Sequence, residues 1–236
     1  MDFFLDTANL DQIREGVELG IIDTANLEQI REAYALGVLD GVTTNPSLMA
    51  KEGIKGEAAI HAHYRAICEL VGGDVSAEVI STDYDGMLRE GERLAALHPN
   101  IVVKIPCTKD GIRAICKFTD ELGIRTNCTL VFSLGQALLA AKAGATYVSP
   151  FVGRLDDVSE DGIALVRDIV NIYTAYAYDT QVIAASIRHT RHIIQCLDAN
   201  ADVATCPLSA ILGLLNHPLT DIGIARFLAD YKKVNG

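Results

Sequence analysis

Residues 101–131 read IVVKIPCTKDGIRAICKFTDELGIRTNCTLV and place a helical pattern between two short runs of strand-forming residues. The runs at 101–105 and 126–131 are rich in β-branched residues, which favour extended structure. The segment 110–122 between them carries apolar residues at helical spacing. Two strands joined by such a helix form a βαβ unit, whose strands lie parallel in one sheet. This stretch therefore predicts an α/β fold.

The same alternation continues along the whole chain, and no Pro/Gly/Ser-rich linker interrupts it. Eight strands with helices between them close naturally as a (β/α)8 barrel. We therefore predict a single-domain TIM barrel over residues 1–236, with a C-terminal helix. The predicted strands are FFLDT (3–7), GVTTN (41–45), SAEVI (76–80), IVVKI (101–105), TNCTLV (126–131), TYVSPF (146–151), QVIAAS (181–186) and DVATC (202–206). The predicted helices are 57–72, 84–97, 110–122, 133–143, 159–177, 189–199, 207–215 and 219–233.

The composition limits the class of partner. The chain carries a formal net charge of -11, which repels polyanions and argues against nucleic acid or an anionic membrane surface. An anionic ligand would therefore need a local concentration of cations. The six cysteines show no CxxC spacing and the six histidines do not cluster with carboxylates, so we expect reduced thiols and no metal. The first ten residues lack a signal-peptide pattern, and we expect a cytoplasmic protein.

Lys104 stands at the end of the apolar run Ile101-Val102-Val103, where an unpaired ammonium is costly. Burial disfavours the charged form of an amine, and a neutral amine can attack a carbonyl to form a Schiff base. The alternative is a lysine whose stem packs on the core while its head reaches solvent. Local sequence alone leaves both readings open.

Polar residues stand at nearly every predicted strand end. In a (β/α)8 barrel the reactive groups gather at the C-terminal ends of the strands. Each such residue also has a structural explanation, because Asp6 and Ser186 can cap helices, Asn45 can form a turn before Pro46, and Glu78 can be a satisfied core carboxylate. The residues at these ends are Asp6, Asn45, Glu78, Lys104, Thr129, Ser149, Arg154, Ser186 and Arg188.

Residues 6–22 recur as 23–39, with 11 of 17 positions identical. The period is too short for a solenoid unit and occurs once, so we interpret it as a local tandem duplication. Each copy has capping residues before the helix and a glycine, Gly20 or Gly37, at its end, which predicts two separate helices. One helix is then surplus to the barrel, and we expect it outside the barrel wall.

The duplication leaves two choices for the first strand, FFLD ending in Asp6 or GIID ending in Asp23. The first is the better strand, because leaving Phe3 and Phe4 outside the barrel would expose large apolar surface. We therefore predict Asp6 at the end of strand one and keep Asp23 as the alternative.

Taken together, the motifs resemble those of the short-form transaldolases and the closely related fructose-6-phosphate aldolases. The segments FFLDTAN, GVTTNPSL, SAEVIS, VVKIPCT, TNCTLVFS, YVSPFVGR and AASIR occur in the family order on successive predicted strands, and the likeness extends through HPLTDIGIARF near the C-terminus. The lysine of the VVKIP motif is the Schiff-base residue of that family, and Lys104 matches it. The resemblance also implies a class I mechanism without metal or cofactor.

The resemblance implies roles for further residues. Asp6 (or Asp23) matches the carboxylate that takes the hydroxyl proton of the donor sugar, and Glu78 matches an acid that shuttles protons through a water and the Thr129 hydroxyl. Ser149 matches a polar contact beside the lysine. The remaining matches bind substrate. Asn45 and Asn127 match amides that bind hydroxyls of the three-carbon fragment, and Arg154, Ser186 and Arg188 match the phosphate site, whose geometry suits arginine. Thr44 and Phe151 complete the substrate-binding set.

Two residues favour one activity of the family over the other. As the resemblance implies, the aldolases carry tyrosine at the position of Phe151 and glutamine at that of Glu78. A phenyl ring cannot relay a proton to water, so we expect slow hydrolysis of the bound fragment. The predicted function is transaldolase, which moves dihydroxyacetone from sedoheptulose 7-phosphate to glyceraldehyde 3-phosphate in the pentose phosphate pathway. The alternatives are a fructose-6-phosphate aldolase, or a catalytically impaired or engineered barrel carrying the duplicated helix.

The family resemblance also suggests a ring-based homo-oligomer, such as a decamer in which the terminal helix reaches a neighbour. The predicted partners are thus sugar phosphates and further copies of the chain, without nucleic acid or membrane.

Overall fold

Eight parallel strands form a closed barrel in sequence order, as predicted. The structure is a computed structural model that describes residues 2–6 by their backbone, residues 32 and 35, and residues 39–235. The barrel closes where the first strand pairs with the last, with Phe4 opposite Thr205. The strands are β1 Asp2–Asp6, β2 Gly41–Thr43, β3 Asp74–Glu78, β4 Ile101–Pro106, β5 Thr126–Val131, β6 Tyr147–Pro150, β7 Gln181–Ala184 and β8 Val203–Cys206.

Helices follow the strands around the outside of the barrel. They are α1 Pro46–Lys51, α2 Glu57–Val71, α3 Tyr84–Ala95, α4 Lys109–Lys117, α5 Leu134–Lys142, α6 Val152–Asp156, α7 Gly162–Tyr176, α8 Thr190–Asp198, α9 Leu208–Leu212 and α10 Pro218–Asn235. A π-helical turn, Phe118–Leu122, continues α4, and a 3-10 turn, Gly213–Leu215, continues α9.

The predicted strands and most predicted helices are confirmed, whereas two short helices were not predicted. In α1 the side chain of Asn45 accepts a hydrogen bond from the Leu48 amide and Pro46 is the first helical residue, which are both helix-start signals. In α6 there is no side-chain cap. Helices of five or six residues are too short for a periodic pattern, which explains why the sequence analysis missed them.

Strand one comes from the first of its two candidate segments. β1 ends at Asp6 and pairs with β2, with Asp6 opposite Thr43. The predicted surplus helix and most of the repeat at 6–22 and 23–39 lie outside the described residues.

The two faces of each strand differ in polarity. Outward-facing Val75, Val103 and Ile105 are fully buried beneath the helices, together with Phe118. This apolar shell holds the strand ends in place because close packing tolerates little movement. Several inward positions carry polar side chains instead, and these are Thr43, Ser76, Lys104, Asn127, Thr129, Ser149 and Thr205.

Helix α10 buries none of its residues. Its exposed apolar side chains include Leu219, Phe227, Tyr231 and Val234. Of the described helices, no single one is long and apolar enough to cross a membrane, although the bent pair Leu208–Leu215 and Pro218–Asn235 passes that test of length and composition together.

Candidate active site

Lys104 lies inside the mouth of the barrel and is only 5% exposed. Its Nζ donates a hydrogen bond to the carbonyl oxygen of Thr44 at 2.9 Å. The same nitrogen lies 3.1 Å from Oε2 of Glu78, whose side chain is 14% exposed. The open alternative from the sequence, a lysine head in solvent, is therefore wrong. The short distance to Glu78 also lets a proton pass directly between the two groups.

The parallel register brings the neighbours of Lys104 together. Lys104 stands opposite Glu78 on β3 and opposite Asn127 on β5. Asn127 is fully buried, its amide nitrogen donates to Ser76 Oγ at 3.1 Å, and its amide oxygen accepts from Ser149 Oγ at 2.8 Å. The Asn127 side chain, on the strand next to that of Lys104, is thus held in place by two hydroxyl groups.

Thr129 follows Asn127 on the same inward face of β5, and its hydroxyl is fully buried. Among the described residues its Oγ1 has no hydrogen-bond partner. The next residue, Leu130, has φ of 57°, and the register with β6 shifts between Cys128 and Val131. Such an irregularity re-aims the side chains beside it and is common next to active sites. A buried hydroxyl of this kind needs a partner, which a water molecule could supply.

A cavity of about 90 Å³ opens above Lys104. It contains predicted residues from four of the strand ends and also three residues that the sequence analysis did not select. The Oγ1 atoms of Thr43 and Thr205 lie 2.7 Å apart, and the position of Thr205 at the end of β8 was a signal that could have identified it. The lining residues are Thr43, Asn45, Lys104, Ser149, Phe151, Arg154, Ala185, Ser186 and Thr205.

Thr44 faces away from this cavity. Its hydroxyl contacts Tyr64 and the Ser76 carbonyl, so only its carbonyl oxygen points to Lys104. Tyr64 was not selected from the sequence. A second, larger cavity of about 260 Å³ lies outside the barrel wall between α2 and α3. Tyr64 and Glu78 line this cavity, whereas Lys104 does not.

The predicted phosphate residues lie on one side of the cavity mouth. Arg154 is exposed, with its guanidinium 4.9 Å from the centre of the Phe151 ring. Ser186 has φ of 58°, which is strained for a non-glycine residue. Arg188 does not line the cavity, and its Nη2 donates to Asp157 Oδ2 at 2.6 Å. Arg154 and Ser186 are therefore brought to the cavity, whereas Arg188 is engaged by a carboxylate beside it.

Gly153 sets the distance between these groups. Its amide donates to the Ser186 carbonyl at 3.0 Å, and a Cβ at this position would lie 2.4 Å from that oxygen and 2.7 Å from Arg188 Nε. We expect Gly153→Ala to displace both residues and to raise KM by about tenfold for the sugar phosphate that the family resemblance implies as substrate. Steady-state kinetics would measure this, with a donor that lacks phosphate as the control. An equal loss with both donors would contradict the expected role at the phosphate side.

Glu90 on α3 fixes the backbone immediately after β3. Its carboxylate accepts from the Ile80 amide at 2.7 Å, the Ser81 amide at 3.0 Å and the Ser81 hydroxyl at 2.6 Å. Burial raises the pKa of Glu90, but the three hydrogen bonds outweigh this effect and the net pKa is lowered. The charged form of Glu90 therefore stabilises the fold.

The stabilisation by Glu90 should depend on pH. A lowered pKa gives a contribution that is complete above the ordinary value of 4.5 and is lost as the pH falls through the folded value. We expect Glu90→Gln to reduce the free energy of unfolding at pH 7 by about 1 to 3 kcal/mol, with a smaller difference at pH 3. Denaturant unfolding at both pH values would measure it. Glu92→Gln, on the exposed surface of the same helix, should show no such change, and a pH-independent difference for Glu90→Gln would contradict the assignment.

Comparison with known proteins decides the family. A profile described as "Transaldolase/Fructose-6-phosphate aldolase" matches residues 20–235.

The chain belongs to this family.

Curated relatives named "Probable transaldolase" are similar over the full length of both chains, at 76% identity in Parabacteroides distasonis, 74% in Bacteroides thetaiotaomicron and 68% in Cytophaga hutchinsonii. A solved structure of thiamine phosphate pyrophosphorylase from Pyrococcus furiosus is similar in fold alone, with a TM-score of 0.53 and 17% identity over 90% of this chain and 87% of the other.

Proposed function

We propose that this protein is a transaldolase that transfers dihydroxyacetone from sedoheptulose 7-phosphate to glyceraldehyde 3-phosphate, giving erythrose 4-phosphate and fructose 6-phosphate. The observation that carries the proposal is the buried amine of Lys104, held between the Glu78 carboxylate and the Thr44 carbonyl at the mouth of the barrel. Family membership and the full-length relatives named as transaldolases support it.

The chemistry begins with attack of neutral Lys104 on the C2 carbonyl of the donor. The carbinolamine loses water to give an imine, and Glu78 is placed to take and return the protons of this step because its carboxylate is 3.1 Å from Nζ. The Thr129 hydroxyl, which has no hydrogen-bond partner among the residues that the structure describes, supports a role in orienting the water. Asn127 is proposed to hold hydroxyls of the three-carbon fragment, and Ser149 to contact it beside the amine.

Cleavage then breaks the C3–C4 bond. The bonding electrons pass into the imine and form an enamine, while a base removes the C4 hydroxyl proton and the aldehyde leaves. We assign the base to Asp6, because β1 ends at this residue and pairs with β2 at the mouth of the barrel. Asp23 is the alternative. The acceptor aldehyde reverses these steps, and hydrolysis of the new imine frees Lys104.

The phosphate of the substrate is proposed to bind at Arg154, Ser186 and Arg188. The two guanidinium groups lie beyond the C-terminal ends of the adjacent strands β6 and β7. They supply the local cations that a chain of net charge -11 needs in order to bind an anion. The Arg188–Asp157 pair is half-exposed, so phosphate can compete with the carboxylate for the guanidinium.

A fructose-6-phosphate aldolase is the second candidate, because the matching profile covers both activities. Phe151 in the cavity lining favours transaldolase, since it offers no proton to water. The deciding assay follows glyceraldehyde 3-phosphate release from fructose 6-phosphate with and without erythrose 4-phosphate. Release that requires the acceptor supports transaldolase, release without it identifies an aldolase, and no release in either case favours an impaired barrel.

The active form is proposed to be a homo-oligomer assembled through α10. A helix with every residue outside the core and several large apolar side chains exposed is typical of an interface. Sedimentation velocity would test this, and a species with the 25.4 kDa mass of one chain at micromolar concentration would contradict it. The repeat at 6–22 and 23–39 is proposed to be a local tandem duplication.

A further inference from the structure

His192, in the first turn of α8, contacts both of the segments that carry the predicted phosphate residues. The residue is 6% exposed. Its Nδ1 accepts a hydrogen bond from the Arg188 amide at 3.3 Å. Its Nε2 lies 3.0 Å from Oδ2 of Asp156, the last residue of α6. One buried imidazole therefore links the loop after β7 to the helix that carries Arg154.

These two contacts determine where the ring proton lies. Because Nδ1 accepts from an amide, it carries no proton, and Nε2 must then donate to the Asp156 carboxylate. The carboxylate is itself held in place, since its Oδ1 accepts from the Gly162 amide at 3.3 Å at the start of α7. His192 is thus a neutral ring fixed in one tautomer.

The backbone and the side chain of Arg188 are held by different groups. Its Nη2 donates to Asp157 Oδ2 at 2.6 Å and to the Gly153 carbonyl at 3.4 Å. The pair with Asp157 is half-exposed, and a phosphate group would compete for it. The amide bond to His192 does not involve the guanidinium, so it can persist when the guanidinium leaves Asp157. His192 therefore sets the position of Arg188 in the empty and in the occupied site.

The loop after β7 needs such an anchor. Ser186 has φ of 58°, and a strained conformation of this kind persists only where the surrounding contacts hold it. Resting on the proposed phosphate site, we propose that neutral His192 is a positioning residue: it holds the loop 186–188 against α6, so that both proposed phosphate-binding arginines reach one phosphate group.

Protonation of His192 would remove this anchor. A proton on Nδ1 would face the Arg188 N–H, and an imidazolium has no acceptor for that bond. Burial lowers the pKa of His192 from its ordinary value of 6.5, and the neighbouring His189 acts in the same direction. The neutral ring is therefore complete above pH 6.5 and is lost as the pH falls through the folded value.

The groups around the ring account for its charge environment. The charged or titratable side chains that face His192 are Asp156, Arg188 and His189. Helix α9, which also contacts α8, has no titratable side chain. On α7, Arg167 pairs with Asp198 at the far end of α8. Protonation of His192 is thus opposed by burial and by two neighbours and favoured by Asp156 alone.

The test measures anion affinity apart from catalysis. Inorganic sulfate is the probe, because it stays a dianion between about pH 5 and 8, and its binding is followed by calorimetry and by thermal unfolding. We expect His192→Gln to weaken sulfate binding by about tenfold at pH 8, because its amide can reach Asp156 but offers no acceptor at the position of Nδ1. His192→Asn places its carbonyl oxygen near the position of Nδ1 and should bind within about twofold of the wild type.

Steady-state kinetics should show the same separation. His192→Gln should raise KM for fructose 6-phosphate by about tenfold, with erythrose 4-phosphate as acceptor, and change kcat by less than about twofold. KM for fructose, which has no phosphate, should not change. His63→Gln is the matched control, since His63 on α2 is 3% exposed and lies between β2 and β3. It should bind sulfate and fructose 6-phosphate as the wild type does.

The pH profile separates positioning from a simple charge effect. Wild-type sulfate affinity should fall by about tenfold towards pH 5, whereas His192→Asn, which has no ring to protonate, should keep its affinity. A charge effect alone would give the opposite trend, because protonated histidines attract sulfate more strongly. This comparison also serves if His192→Gln does not fold.

Wild-type sulfate affinity in His192→Gln, equal weakening in His63→Gln, or wild-type binding that tightens below pH 6.5 would overturn the proposal. Absence of sulfate binding by the wild-type protein would overturn the phosphate site and the proposal with it. Sulfate binding with the expected dependence on His192, but without turnover of fructose 6-phosphate, would instead overturn the proposed transaldolase function and leave the role of His192 in place.

Discussion

Replacement of Lys104 by methionine is expected to abolish transfer of the dihydroxyacetone unit, with a loss of about 10⁴-fold or more in kcat, because it removes the nucleophile that we propose forms the imine. Methionine fills a similar volume in the barrel mouth, so the packing around position 104 is retained. The coupled assay and borohydride trapping both measure the loss. Lys109→Met, at the exposed start of α4, is the control and should keep wild-type activity.

The same variant should be less stable as well as inactive. Glu78 loses the ammonium 3.1 Å away, and removal of one partner of a largely buried pair costs about 3 kcal/mol or more. The double variant Lys104→Met with Glu78→Gln should recover much of this stability and stay inactive. If Lys104→Met retained turnover, another lysine would have to be the nucleophile. That result would contradict the assignment of Lys104.

Gly111→Ala is expected to damage both stability and activity. A Cβ at this position would lie 2.0 Å from the carbonyl oxygen of Pro106. That oxygen belongs to the backbone at the end of β4, so no side-chain rotation can relieve the contact. We expect a loss of about 2 to 4 kcal/mol in the free energy of unfolding, and a shift of about 1 Å in β4 should lower kcat by about 100-fold.

The chain supplies a matched control for this substitution. Gly135 stands in the first turn of α5, after the next strand, and a Cβ there would meet nothing within 4 Å. Gly135→Ala should therefore stabilise the protein by up to about 1 kcal/mol, because alanine is the better helix former. Thermal unfolding and steady-state kinetics of both variants would measure these effects. Equal behaviour of the two variants would contradict the close approach of α4 to Pro106.

The spacing of apolar residues along the sequence made most of the fold predictable. Strands β4 and β5 fall within one residue of their predicted bounds because hydrophobic alternation and flanking turns mark them clearly. The start of α7 was less accurate, because the predicted helix 159–177 included the loop before Gly162. Helix α6, which carries Arg154, was too short to be seen at all.

The site was predictable to the extent that strand geometry determines it. Polar residues at strand ends identified Lys104, Glu78 and Ser149, since parallel strands bring their C-terminal ends together. Alternation alone could not decide which of Thr43 and Thr44 faces inward, and the structure turns Thr43 to the cavity. Contacts made by Tyr64 on α2 and by Asp157 just after α6 depend on helix packing that no local pattern encodes.

The pairing of β1 with β8 also constrains how the chain is made. Phe4 and Thr205 are opposite each other but about 200 positions apart. At about 5 to 20 residues per second, roughly 10 to 40 s of translation separate the emergence of these two strands. Throughout that interval one edge of β1 has unpaired backbone groups, which can template pairing with another chain. A nascent chain released before β8 would keep two open sheet edges, so premature termination would favour aggregation over a smaller folded barrel.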